Sequence, residues 1–243
     1  MSIITVVYNG GDYIQECMSS VFSQLYEHIE YIIIDGGSTD GTLEKIGSFI
    51  NDYILISEPD KGVYDALNKG IKRATGDIVG FLHADDLFAS NEVVNAIVKK
   101  FELEDPDVLF GDLTYVHPTS HEIIRKWKSS PFKIESLNFG WMPPHPTFYM
   151  KKSLFERVGY YSLDFGTAGD YEFMIRVLRN FTLKVSYLPK LFVKMRLGGM
   201  SNSSLENRLK AFENDYKAVK LHNFKYPFIT TVLKKARKIF QYF

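Results

Sequence analysis

The chain carries one cysteine, Cys17, in 243 residues. An internal disulfide framework is excluded, and a reducing compartment is expected. Net charge is absent too: Lys and Arg total 29, and Asp and Glu total 29. No global basic field argues for nucleic acid. No apolar run approaches the ~20 residues that a membrane span requires. The opening Met1-Ser2-Ile3-Ile4-Thr5-Val6-Val7 lacks the charged region and cleavage site of a secretory signal. Internal repeats, low-complexity tracts and linkers are missing as well. Apolar residues make up 45% and charged residues 24%, which excludes intrinsic disorder and collagen-like fibres. At this length about 70% of the unfolded surface is buried on folding. Such a core needs no metal or disulfide staple. What the chain has in abundance is aromatic: 19 Phe and 15 Tyr. A large core or ring-stacking surfaces would use them, and composition leaves both open.

Residues 3–7 are a β-branched run stopped by Tyr8-Asn9-Gly10-Gly11, the pattern of a buried strand and a turn. Ile14, Cys17, Met18, Val21, Phe22 and Leu25 then recur at helical spacing on one face. Residues 31–34 and 53–56 read as further strands. Residues 42–50 read as a helix, with Ser38 or Asp40 as its N-cap. A helix at 64–74, a strand at 77–82, a helix at 91–101 and a strand at 107–110 follow. Short connections between such elements imply βαβ crossovers, hence a mainly parallel sheet with helices on both faces. Past residue 112 the rhythm breaks. Residues 114–128 read as extended or hairpin-like, and three prolines make 141–146 a loop. Helices are expected at 151–158, 171–179 and 205–222. A strand is expected at 183–188, ended by Pro189.

In open parallel sheets, ligands bind outside the carboxyl ends of the strands. The residues delivered there are Tyr8 and Asn9, then Asp35 and Ser38, then Glu58, Asp60 and Lys61, then His83, Asp85 and Asp86. Carboxylates dominate this edge. A bare cluster of acids repels itself, so it implies a cation or a donor-rich ligand. No G-x-G-x-x-G follows the first strand. Gly36-x-x-x-x-Gly41-Thr42 resembles a P-loop frame but lacks its lysine.

Five segments in this order and spacing resemble the GT-A fold family 2 glycosyltransferases. They are Thr5-Val6-Val7-Tyr8-Asn9, then Ile34 through Thr42, then Glu58 through Gly70, then Ala74-Thr75-Gly76-Asp77, then Leu82-His83-Ala84-Asp85-Asp86. Ala168-Gly169-Asp170-Tyr171 and Leu197-Gly198-Gly199-Met200-Ser201 also fit. The bacterial members that build capsule, lipopolysaccharide or exopolysaccharide repeats are the most similar. The resemblance implies a GT-A fold, a Rossmann-like α/β domain over 1–223. Its nucleotide-binding half is 1–112 and its acceptor-binding half 113–223, with a tail at 224–243.

The resemblance also implies roles. Thr5, Val7, Tyr8 and Asn9 would line the base and ribose. Asp35 would accept the imide N–H of uracil, with Ser38 beside it, although the same carboxylate could cap its own turn. Asp60, Asp65, Asn68 and Lys69 would border the nucleotide and diphosphate. Asp65 and Asn68 are three apart and face the same side of a helix. His83-Ala84-Asp85 stands where the family has D-x-D, with the first acid replaced by His83. Asp85 would hold Mn²⁺ or Mg²⁺ against the donor diphosphate. Ala84 and Asp86 would flank the sugar or the neighbouring backbone. Asp170 matches the catalytic carboxylate, which takes the acceptor proton in inverting members. It could equally cap the helix that starts there. Gly169, His145 and Trp141 would belong to the acceptor side, with core packing the alternative for Trp141. Residues 198–201 resemble a segment that closes near the donor phosphates, or a plain turn.

The expectation is an inverting, metal-dependent transfer of one sugar from a nucleotide-diphosphate sugar, UDP-linked, to a saccharide acceptor carried on lipid. No Q-x-x-R-W motif of processive synthases is present. Residues 224–243 mix Lys225, Lys234, Lys235, Arg237 and Lys238 with apolar and aromatic residues and contain no acid. Such a tail suits an anionic membrane surface, or a helix packed on the domain with its charges solvated. The location expected is cytoplasmic, peripheral at the inner face of the membrane. Two rivals stand beside this reading. A sugar nucleotidyltransferase would want a basic Gly-rich loop where Asn9-Gly10-Gly11-Asp12 is acidic. A non-catalytic donor-binding scaffold would explain the lost first acid.

Overall fold

The computed structural model describes residues 1–180, 182–198 and 205–241. Residues 199–201, part of the expected closing segment, lie outside them. The described strands form one nine-stranded sheet. Its first part is β1 (Ser2–Val7), β2 (Glu30–Asp35), β3 (Ile54–Ser57) and β4 (Ile78–Phe81), all parallel in the order β3-β2-β1-β4. Helices α1 (Ile14–Phe22), α2 (Thr42–Gly47) and α3 (Val63–Arg73) make the crossovers. Every residue of β1 is buried, as both faces of a parallel strand are covered. Its side chains alternate between two cores. Ile4 and Val6 join α3, and Ile3 and Val7 join α1. Cys17 is fully buried in the second core, where burial pushes its thiol up to about 12. Its place on the apolar stripe is a packing role.

The second part of the sheet is mixed. It comprises β5 (Asp86–Phe88), β6 (Val108–Val116), β7 (Ile123–Trp127), β8 (Tyr149–Lys151) and β9 (Val185–Arg196). β8 runs antiparallel to both β4 and β6, and so bridges the two halves. The hairpin expected at 114–128 is β6 with β7. Two short strands, β5 and β8, carry no sequence period long enough to announce them. Pro189 does not end its strand. β9 runs through it to Arg196, because the register against β6 jumps from Phe110–Tyr187 to Asp112–Leu191. A proline without an N–H is tolerated at such a bulge.

α4 (Val93–Glu104) covers the α1 face; α5 (Ser153–Val158), α6 (Gly169–Asn180) and α7 (Leu205–Leu221) follow along the chain. The tail forms α8 (Pro227–Arg237), and it packs on α7. No helix among the described residues is long and apolar enough to cross a membrane.

Gly80 on β4 faces the ring of Tyr149 on β8. A Cβ there would lie 1.9 Å from Tyr149 Cε1, whereas one at Gly47 meets nothing within 4 Å. We expect Gly80→Ala to lose about 1–3 kcal/mol by overpacking. Gly47→Ala, in a helix turn, is expected to hold or gain stability. Denaturant unfolding of both variants checks this.

Candidate active site

The carboxyl ends of β1 and β2 are laced together. Asn9 takes a left-handed φ of 50°. Its N–H donates to Ser38 Oγ at 2.8 Å, and its Oδ1 accepts from Thr39 N at 2.9 Å. Gly10 N donates to Thr42 Oγ1, and Gly11 N to Asp40 Oδ2, both at 3.0 Å. Asp40 also accepts from Thr42 N and braces the start of α2, whose N-cap is Gly41 and not the Ser38 or Asp40 expected. Asp35 is fully buried. It accepts from Gly37 N, Ser38 N, the Ser38 hydroxyl and the Ser57 hydroxyl. The carboxylate thus closes its own turn, and a base N–H would have to displace one of these donors. Thr5 is likewise fully buried, its hydroxyl accepting from Tyr31. Thr5 and Val7 are paired along β2. Tyr8, by contrast, is 67% exposed at this edge.

The Asp60 carboxylate lies against Gly36, where a Cβ would sit 2.5 Å from Asp60 Oδ2 and 3.4 Å from the Tyr8 ring. Tyr8, Gly36 and Asp60 therefore line one spot. Asp60 Oδ1 accepts from Gly62 N and Asp65 Oδ2 from Lys61 N. Lys69, placed by resemblance at the phosphates, is tied instead to Glu58 at 2.9 Å, the Pro59 carbonyl and Asp65. Asn68 departs further from its expected role. Its amide clamps the backbone of Tyr161, donating to the carbonyl and accepting from the N–H, both at 2.9 Å. It joins α3 to the second half of the chain.

The loop after β4 carries His83, Ala84 and Asp85. Ala84 is buried and packs in the α1-side core. Asp85 is half-buried, and among the described residues its carboxylate makes no hydrogen bond. Its carbonyl accepts from Arg196 Nη1 at 2.9 Å. Arg196 is itself buried, and is held by Glu16 and the Pro118 carbonyl. Asp86 opens β5 with its side chain fully buried against the backbone of Arg196, so it offers no surface to a sugar. Burial, then the Asp85 charge, pushes its carboxyl well above the usual range.

Asp170 comes to this edge from 106 residues beyond Tyr64, on the first turn of α6. Its Oδ1 accepts from the Tyr64 hydroxyl at 3.3 Å and from Tyr171 N at 2.8 Å. Asp170 is the second residue of α6 and not its cap, and among the described residues its Oδ2 has no hydrogen bond. A Cβ at Gly169 would lie 2.6 Å from the Tyr64 ring, so the glycine makes room for that ring. Burial and the Asp170 charge push the Tyr64 hydroxyl up, keeping it a donor. Tyr64 stacks on Tyr161, and the Tyr161 hydroxyl meets His145 Nε2 at 2.9 Å. His145 and His83 face each other with ring centroids 5.7 Å apart. Burial lowers the pKa of His83 although Asp85 and Asp170 both oppose it. His145 falls to about 4 by burial. Both rings are neutral at pH 7. Trp141 is buried against Phe110, its N–H given to Ser130. Tyr64, Tyr161 and Arg196 carried no sequence signal of their own, although Tyr64 stands inside the 58–70 segment.

The family model for glycosyl transferase family 2 matches residues 2–165. The chain belongs to glycosyl transferase family 2. It is an enzyme of the glycosyltransferase class. It is 34% identical over 179 residues to a glycosyltransferase of Mycobacterium tuberculosis, MT1564, covering 72% of this chain and 68% of that one. It is 29% identical over 211 residues to the PGL/p-HBAD biosynthesis glycosyltransferase of Mycobacterium bovis, covering 84% and 80%. Staphylococcus aureus TarS, residues 1–349 in complex with UDP-GlcNAc, superposes with TM-score 0.66 at 15% identity, over 100% of this chain and 92% of that one. The Pyrobaculum calidifontis mannosyltransferase PcManGT, in complex with GDP-Man and Mn²⁺, gives 0.68 at 18%, over 97% and 68%. These likenesses confirm the GT-A fold of the family.

His145 is neutral in the fold and protonates near its ordinary value of ~6.5 when unfolded. Between about 4 and 6.5 the unfolded chain therefore binds more protons, and stability rises with pH. This contribution is complete above ~6.5 and lost as pH falls through about 4. We expect His145→Gln to flatten the pH dependence of the unfolding temperature across that window, measured against the wild type.

Proposed function

We propose that this family member transfers one sugar from a nucleotide-diphosphate sugar, UDP-linked, to a lipid-linked saccharide in bacterial surface polysaccharide synthesis, with inversion. The reading rests on one observation. The Asp170 carboxylate, from the second half of the chain, stands at the donor edge with one oxygen fixed by Tyr64 and Tyr171 and the other free of hydrogen bonds among the described residues. The free oxygen is placed to take the proton from an acceptor hydroxyl as that oxygen attacks the anomeric carbon. A positioned base supplies about 10²–10⁴-fold. Single displacement forms no bond to the enzyme. Tyr64 acts through Asp170 as a positioning residue, and the neutral His83 and His145 add no competing cation. Tyr8 would border the base and ribose, and Asp60 the nucleotide and diphosphate.

A divalent ion is tested by the donor set. Among the described residues no three of His, Cys, Asp and Glu gather as a cage. Asp85 offers a single carboxylate without hydrogen bonds of its own. One carboxylate fits an ion shared with a donor's phosphates, as Mg²⁺ is commonly held, and does not fit a resident one. Asp85 would hold Mn²⁺ or Mg²⁺, which would supply charge neutralisation to the leaving diphosphate. The tail gives the peripheral membrane contact at the inner face.

Two experiments check the reading. Thermal unfolding against UDP, GDP, CDP and dTDP, each with and without Mn²⁺, should show a rise for UDP with metal. Ligand at 100 times its dissociation constant adds about 2.7 kcal/mol. Asp85→Ala should remove the metal-dependent part; a rise unchanged in that variant would remove the metal role. Asp170→Asn should keep the UDP shift and lose turnover by about 10²–10⁴-fold. Tyr64→Phe should lose about 10–100-fold, the worth of a hydrogen bond to a charged group. It should act on kcat and leave the KM for the donor unchanged, since Tyr64 bonds the Asp170 carboxylate. Wild-type turnover in these two variants would sink the base and its positioning.

A further inference from the structure

The tail helix is built inside out. Lys234 and Lys235 turn inward and meet the buried Asp215 at 2.5 and 2.7 Å. Lys234 also lies over the Tyr171 ring at 3.6 Å. Thr230 and Thr231 are buried, the former bonded to the Asn138 carbonyl. The outward face is apolar: Phe228, Ile229, Val232 and, just past the helix, Ile239 are 61%, 53%, 42% and 61% exposed. Phe228 and Val232 are four apart and share one face. This is the reverse of a helix packed on the domain with its charges solvated.

Beneath the basic face, between α8 and the end of β7, lies a cavity of about 490 Å³. Lys126, Lys128, Arg237 and Lys238 line it with the rings of Trp127 and Trp141, and among the described residues no carboxylate does. Among the described residues Lys126 and Lys128 form no ion pair. Lys234 contributes too, but its charge is answered by Asp215. Burial and the nearby Lys234 and Lys235 depress Lys238 to about 8. Unmatched cations crowd a partly enclosed, ring-walled space, beside a helix whose other face is apolar and largely exposed, with Phe228 edge-on to Phe212. That combination calls for an anion attached to something greasy.

We propose that this cavity receives the phosphate of an anionic membrane lipid while the outward face of α8 enters the acyl boundary. The inference deepens the membrane contact of the tail and does not depend on the donor site. It gives the contact a head-group seat and an orientation. Trp141 lines the cavity, and four residues on His145 reaches the candidate active site. Lys234 rests on the neighbour of Asp170. A protein seated this way holds its acceptor side to the membrane.

The test is co-sedimentation with vesicles of phosphatidylcholine alone and of phosphatidylcholine with phosphatidylglycerol, with inorganic pyrophosphate as soluble competitor. The wild type should bind the anionic vesicles and not the neutral ones. Lys126 and Lys128 are exposed, so Lys126→Glu with Lys128→Glu should fold normally, as circular dichroism and unfolding temperature will show. Each cation at an anionic surface is worth about fivefold, so that pair should lose on the order of 25-fold or more. Phe228→Ser with Val232→Ser should also release the protein. Failure of the wild type to bind anionic vesicles would overturn the proposal. So would a charge-reversed pair that binds as tightly as wild type, or pyrophosphate binding with no vesicle binding, which marks a soluble phosphorylated ligand. The nucleotide thermal shift, run on the same samples, reports the donor site separately.

Discussion

Asn68 holds the backbone of Tyr161 from 93 residues away, donating and accepting at 2.9 Å in each direction. This clamp registers the second half of the chain on the parallel part of the sheet. The Tyr161 side chain then organises what surrounds it. Its ring stacks on Phe173 of α6 at 4.2 Å and on Tyr64 of α3 at 5.7 Å. Its hydroxyl sets His145. Because Tyr161 fixes α6 relative to α3, the Tyr64 hydroxyl can reach Asp170. The high aromatic content serves here as a scaffold, with edge and stacked contacts that favour one geometry over a loose apolar filling. The exposed Tyr8 is a different case, free to meet a ligand.

Charge around the site is managed by burial. Two imidazoles sit near two carboxylates and remain neutral at pH 7, because desolvation outweighs the attraction of Asp85 and Asp170. Asp86 is kept beneath the site, where its charge is disfavoured. Carboxylates left with open oxygens, Asp85 and Asp170 among them, lie at the edge. Most of the other polar side chains of this edge are spent on holding loops. Asp35, Asp40, Ser38 and Asn9 lace the β1 and β2 turns, and Lys69 closes the Glu58–Asp65 loop. Such lacing holds groups in place before a ligand arrives, and pre-organisation is where an enzyme gains most from its fold.

The first half of the fold was legible because its strands are apolar runs that alternate with helices over short connections. The parallel order follows from crossover handedness. The family resemblance pointed to Asp85 and Asp170, with His83 in place of an acid. The misses have physical causes. Pro189 reads as a strand end, yet a register jump against β6 absorbs it. Asn68 reads as a ligand contact beside Asp65, yet its amide is used up on a backbone far along the chain. Asp86 reads as part of the acidic edge, yet one residue of strand alternation turns it inward, away from Asp85.

Local pattern by itself determined the α/β class, the parallel core, the edge where the candidate site lies and the family, since periodicity, turns and motif spacing are properties of neighbours along the chain. Tertiary structure alone decided which of the acidic and amide side chains keep free atoms. It also decided that Tyr64 fixes Asp170, and that the tail presents its apolar face outward. The last two outcomes depend on partners 19 to 106 residues away, from Lys234 on Asp215 to Tyr64 on Asp170. A hydrogen bond or an ion pair across such distances is set by how layers pack, and no local period records it.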